Sequence, residues 1–212
     1  MNYAITIARE YGAGGKQIGL QLAEELGIAY IERDLLKMAS LESGISEELF
    51  SLADQRMRLR DRLLGMVSQR ERLGAPLTPE HVHFVSDRNI FNIQSKVLKF
   101  LAETTSFVVM GKAAHFVLRD MPNVLCLGVQ APFANCVAFV MEYAKLTRRE
   151  AERAVRETNK YREEYNRFYT GRDWKLAENY DLVFNTGKMT CDQCVQTAKF
   201  ALKTKLGVEV GV

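Results

Sequence analysis

Apolar residues come in two rhythms along this chain. Tyr3 to Ala8 is a short, mostly apolar run with β-branched Ile5, Thr6 and Ile7, the make-up of a buried strand. From Lys16 the period lengthens to that of a helix. Ile18, Leu22 and Leu26 fall on one face, Gln21, Glu24 and Glu25 lie elsewhere, and Gly27 is placed to end it. Ile28 to Ile31 predicts a second short strand, and a helical segment begins near Arg33.

Residues 46 to 73 are charge-rich with a helical pattern that opens at Ser46, Glu47 and Glu48 and stops at Gly74 and Pro76. Thr78-Pro79-Glu80 supplies a cap and a first-turn proline for another helix, running to Glu103. Ser106 to Met110 and Val124 to Val129 are apolar runs bounded by turn residues, as buried parallel strands are. Helices are predicted over Lys112 to Arg119 and Ala131 to Tyr143, and residues 147 to 170 form a densely charged, solvated helical segment. Asp181 to Phe184 is the last strand, followed by a C-terminal helix to about Leu206. Strands alternating with helices imply a parallel sheet covered on both faces, with ligands at the carboxyl ends of the strands.

Composition narrows the class. A chain of 212 residues, 47% hydrophobic and 26% charged, is a soluble globular protein of one domain spanning residues 1–212. A formal charge of +3, from 29 basic and 26 acidic residues that alternate, argues against a nucleic-acid partner. No apolar run approaches the ~18 residues of a membrane span, and the N-terminus lacks a signal pattern, so a cytoplasmic protein without a membrane partner is expected. The four cysteines, Cys126, Cys136, Cys191 and Cys194, read as reduced thiols. Cys191 and Cys194 read as helix-face residues and not as a zinc pair, having no second Cys or His pair beside them. His81, His83 and His115 likewise have no metal-ligand companions. Composition leaves the oligomeric state open.

The candidate chemistry lies between the first strand and the first helix, in Arg9-Glu10-Tyr11-Gly12-Ala13-Gly14-Gly15-Lys16. A glycine-rich turn feeding a helix N-terminus offers unpaired backbone N–H groups with no Cβ in the way, which is what a phosphate needs. The segment does not match the Walker A pattern: no Gly-Lys-Ser/Thr occurs, and Lys16 precedes Gln17. A tight strand-to-helix connection and a phosphate cradle are both compatible with the loop alone.

The run from Ile5 to Gly19 resembles the opening of the cytidylate kinase-like family, P-loop nucleoside monophosphate kinases whose loop reads REYGSGG. Four later pieces resemble the same family in order: Ile31-Glu32-Arg33-Asp34-Leu35-Leu36, Val108 to Ala114, Thr158 to Gly171 as its lid, and Asn179 to Thr186 as its last strand. The resemblance implies a P-loop NTPase-like three-layer α/β fold, with a parallel β-sheet, a helical monophosphate-binding insert over about 34–103 and a helical lid over about 145–175. It implies transfer of the γ-phosphoryl group of ATP, with Mg²⁺, to a nucleoside monophosphate such as CMP or dCMP. Carried over by position, Gly12, Ala13, Gly14, Gly15, Lys16 and Gln17 hold the donor phosphates, with Lys16 standing in for the Walker lysine. Arg33 and Lys112 bind the acceptor, and Arg162 closes from the lid on the transferring group.

Other charged residues are assigned more local roles. Glu10 has two readings, holding magnesium through water or pairing with Arg9, of which pairing is expected, and Arg153, Arg156 and Arg167 are expected as i,i+4 partners of nearby glutamates. Trp174 anchors a long loop by packing. The chain departs from the family pattern at several places: Lys112 replaces arginine, Cys136 and Phe139 stand where arginines occur, Asn159 replaces a lid aspartate and Glu32 replaces an aspartate. Each departure removes or alters a charged contact. Two other readings share the donor loop: a nucleotide-binding module without turnover, and a kinase for another small acceptor.

Overall fold

In the computed structural model, strand β1 (Ala4–Arg9) lies at the centre of a five-stranded sheet. The structure describes residues 2–32, 35, 38 and 87–208. The strand order is β2 (Ala29–Ile31), β3 (Phe107–Met110), β1, β4 (Val124–Gln130), β5 (Leu182–Asn185), and every pairing is parallel. The register sets Ile5 beside Val108 and Leu125, and Ile7 beside Met110 and Leu127. These side chains share one face and form the main core with Ile18 and Leu22 of α1 (Gly15–Leu26) and Val195, Ala198 and Leu202 of α6 (Cys191–Leu206). On the other face the short α3 (Ala114–Val117) packs, with the Cys126 thiol 3.8 Å from the carbonyl of buried His115. The result is a three-layer α/β arrangement, one all-parallel sheet between helices, as the strand and helix rhythm predicts.

Helix α2 (Asp87–Thr104) precedes β3, and α4 (Phe133–Ala144) and α5 (Arg148–Thr170) lie between β4 and β5. Two compact units divide the chain: residues 1–32 with 98–212, which carry the sheet, and residues 33–97. Of the second unit the described part is Leu35, Met38, both helical, and residues 87–97. The predicted helix over 46–73, most of the helix beginning near Arg33, the Thr78-Pro79 helix start, His81 and His83 lie outside the described residues.

Helix ends follow their local chemistry. Thr147 and Glu150 form a reciprocal capping box at the start of α5, as do Thr190 and Gln193 at α6, and Gly27, Gly171 and Gly207 close α1, α5 and α6 in the left-handed conformation. The mostly polar α5 carries four ion pairs four residues apart, Arg148–Glu152, Arg153–Glu157, Lys160–Glu164 and Arg167–Glu163. The helix expected over Lys112 to Arg119 shrinks to one turn. Lys112 and Ala113 take left-handed backbone angles, φ 54° and 52°, so the chain leaves β3 through a sharp turn before a helix can start.

Candidate functional site

The carboxyl end of β1 runs into the glycine loop, and α1 begins at Gly15. Gly12 and Gly14 have φ of 84° and 74°, a region that side chains with a Cβ rarely adopt. At Gly12 packing adds a second requirement, because a Cβ would stand 2.5 Å from the Cys136 carbonyl oxygen. The first bond into α1 runs from the Ile18 N–H to Gly14 O at 3.2 Å. The amides of Gly15, Lys16 and Gln17 therefore lie in the open first turn, where a helix has no internal acceptors and its dipole is positive.

Three neighbours pin this loop. The Glu10 N–H donates to Val129 O at 2.9 Å, the Thr186 hydroxyl donates to Ala13 O at 2.9 Å, and the Tyr11 N–H donates to Asn159 Oδ1 of α5 at 2.7 Å. From α5 the Arg162 guanidinium also reaches the loop, donating to Arg9 O at 2.8 Å, and lies 5.7 Å from the centre of the Tyr11 ring.

Positive charge gathers on one side of the loop. Arg9 Nη2 is 3.1 Å from Glu32 Oε1, Lys16 Nζ is 3.5 Å from Glu32 Oε2, and the Tyr30 hydroxyl donates to the same Oε2 at 3.3 Å. Burial first, and the neighbouring Arg9 cation second, bring the Arg162 guanidinium down to about 9. Burial likewise lowers Arg9, with Glu32 opposing it. Both lowerings come first from desolvation of a cation that stays charged, a cost that a nearby anion offsets. Arg9 and Lys16 share one direct carboxylate partner, Glu32, while Arg162 is held by the Arg9 carbonyl.

Of the sequence-predicted site residues, Gly12, Ala13, Gly14, Gly15, Lys16 and Gln17 form one continuous loop and helix start, and Arg162 is brought onto it. The Lys16 side chain is 58% exposed. Lys112 sits in the left-handed turn after β3, at the same carboxyl edge of the sheet. Arg33 lies outside the described residues. Two expected pairings are corrected. Arg9 pairs with Glu32 and not with Glu10, because the Glu10 carboxylate turns to Lys175 Nζ at 3.2 Å and accepts the Ala131 N–H at 3.4 Å. Arg156 has a lysine four positions on, and it stacks over the Phe133 ring at 4.4 Å, on the wall of a cavity of about 460 Å³ that also reaches Glu10 and Lys175. Arg153 and Arg167 do pair as expected.

The roles of Asn159 and Glu32 were missed, since the sequence presents each only as a departure from a family pattern. His115 is packed, its ring 5.1 Å from that of Tyr180, and Trp174 is buried. The four cysteines are free thiols. Among the described residues no three acidic, His or Cys side chains converge, and Glu32 is already engaged by Arg9, Lys16 and Tyr30. No described helix is long and apolar enough to cross a membrane.

Comparison with known proteins places this arrangement. A solved structure of an uncharacterised protein from Eubacterium ventriosum ATCC 27560 is similar over 96% of this chain and 99% of its own, with a TM-score of 0.69 and 21% identity. An unliganded structure titled a sugar kinase, from Janibacter sp. HTCC2649, is similar over 98% of this chain and 96% of its own, with a TM-score of 0.50 and 15% identity. At these identities the likeness concerns the fold. No curated protein matched the chain significantly. The model of the cytidylate kinase-like family matches residues 4–188, from the first strand through the loop after the last. The chain, with its phosphate-type loop at the centre of a parallel sheet, belongs to the cytidylate kinase-like family.

Proposed function

We propose that this protein transfers the γ-phosphoryl group of ATP to a small phosphorylated acceptor, a nucleoside monophosphate with CMP or dCMP as first choice. The observation that carries this reading is an open set of first-turn amides beside three cations, Arg9 and Lys16 sharing the Glu32 carboxylate and Arg162 held by the Arg9 carbonyl. Such a site is short of negative charge, and a triphosphate supplies it. An acceptor phosphate oxygen forms the new bond to Pγ while the bond from Pγ to the β-bridging oxygen breaks, and ADP leaves with that electron pair. Mg²⁺ enters as part of the Mg·ATP substrate.

In this reading the amides of Gly12 to Gln17 hold the donor phosphates, Lys16 and Arg162 offset charge on the transferring group, and Arg33 and Lys112 receive the acceptor. An anionic phosphate acceptor needs no strong base. That suits a loop whose two neighbouring carboxylates, Glu10 and Glu32, are each held by donors. The test is ADP formation by the purified protein with Mg·ATP and a panel of CMP, dCMP, UMP, other monophosphates, and sugars. Turnover confined to monophosphates supports the proposal, and turnover confined to sugars points to a hydroxyl acceptor, the kind named for the Janibacter neighbour. Thermal stabilisation by ATP with no product from any acceptor leaves the binding-module reading, which the docking of Asn159 and Arg162 on the loop favours.

A further inference from the structure

Resting on the reading of the loop as the donor-phosphate site, we propose that the Arg9 guanidinium is the phosphate-binding cation of this loop, in the place that a Walker A lysine fills. The Walker A pattern is Gly, four residues, Gly, Lys, Ser/Thr. Aligned on Gly14 as its second glycine, the pattern puts its first glycine at Arg9, its lysine at Gly15 and its hydroxyl residue at Lys16. Glycine and cation have exchanged positions.

The geometry gives that exchange a physical cause. A Cβ built on Gly15 would stand 2.7 Å from Arg9 Cβ and 3.0 Å from Arg9 Cγ, closer than side chains tolerate. The stem of Arg9 thus lies across the start of the path that a side chain at position 15 would take. At the other end of the same side chain, a Cβ on Gly111, just after β3, would strike Arg9 Nη1. Two glycines from separate elements leave room for one guanidinium. Its position is then held by Glu32, at 3.1 Å, and its backbone carbonyl by Arg162, at 2.8 Å.

An arginine here also has the chemistry. It brings a planar fork of donors to the carboxyl end of the sheet beside the first turn of α1, suited to bidentate contact with phosphate oxygens. Its side chain is part-buried, 19% exposed, and partial desolvation lowers its affinity for its proton, a cost that an added anion offsets. Lys16, by contrast, is largely exposed and extends from the position where the pattern has a hydroxyl. Glu32 holds the guanidinium in place until a phosphate takes up donors on its fork.

The experiment measures dissociation constants for ATP, ADP and AMP by titration calorimetry, with Mg²⁺ present. The variants are Arg9→Met, Arg9→Lys, Arg9→Gly, Lys16→Met, and the double substitution Arg9→Gly with Gly15→Lys, which rebuilds the Walker order. Arg9→Met is expected to weaken ATP and ADP by about tenfold or more, the usual cost of losing charge-assisted contacts, with a small effect on AMP. Arg9→Lys should recover part of the loss, and the double variant should bind ATP more tightly than Arg9→Gly alone, which a purely structural role for Arg9 does not predict. Unchanged ATP binding in a folded Arg9→Met, or no recovery in the double variant, overturns the proposal while leaving the donor-site reading intact. If Arg9→Met does not fold, Arg9→Lys and the double variant decide alone. Absence of ATP binding by the unmodified protein overturns the donor-site reading and this proposal with it.

Discussion

Asn159 Oδ1 accepts the backbone N–H of Tyr11 at 2.7 Å, across 148 positions of sequence. That bond consumes one loop amide and ties α5 to the glycine loop, next to the Arg162 contact. Substituting Asn159→Leu removes the acceptor and leaves the part-buried amide without one, at a cost of about 1–2 kcal/mol. Hydrogen exchange at Tyr11 should quicken in that variant. Asn159→Asp keeps an acceptor oxygen and should keep the protection, so similar exchange rates in the Leu and Asp variants would contradict this role.

Gly12 and Gly14 differ in a way that their shared positive φ conceals. Gly14→Ala meets only Gln17 Oε1 at 3.9 Å, so the expected cost is the left-handed backbone alone, about 1–2 kcal/mol. Gly12→Ala adds a collision with the Cys136 backbone and should cost about 3 kcal/mol or more, or displace the start of α4. Urea denaturation of the two variants tests the order.

His115 makes stability acid-sensitive. Burial brings it down from 6.5 to about 4, so between those values the unfolded chain takes up a proton that the native state refuses. Its contribution is complete above pH 6.5 and is lost as pH falls toward 4, by up to about 3 kcal/mol. His115→Gln should flatten the fall of Tm between pH 6.5 and 4.5, and an unchanged slope would assign that acid sensitivity to other groups.

Lys199 of α6 is buried and reaches Glu25 of α1 at 3.0 Å, with Gln21 and Gln196 donating to the same carboxylate. Removing the anion leaves a buried ammonium uncompensated. Glu25→Gln is therefore expected to cost about 2–3 kcal/mol and Lys199→Met about 1 kcal/mol or less. Thermal melts in low and high salt separate this from surface screening.

The strand and helix rhythm was legible because each core strand is buried on both faces and each helix buries one stripe. The runs ending at Arg9, Met110, Gln130 and Asn185 were each located to within a residue or two. Where the expectation failed, local pattern met a backbone requirement. The helix expected from Lys112 was interrupted by two left-handed residues that carry no glycine or asparagine signal. Arg156 looked like one more charge in a run of pairs, and only the approach of α4 gave it the Phe133 ring instead.

By itself, the sequence determined the alternation of elements, the family, and a glycine loop between β1 and α1, because these follow from periodicity and from residues adjacent in the chain. The tertiary structure decided which side chains meet at that loop and which partners hold them. Arg9 meets Glu32 and the open space at Gly111 only once β2 and β3 are packed on that side of β1. Asn159 and Arg162 reach the loop only once α5 folds back over it. Contacts across such separations depend on where side chains end in space, which spacing along the chain does not encode.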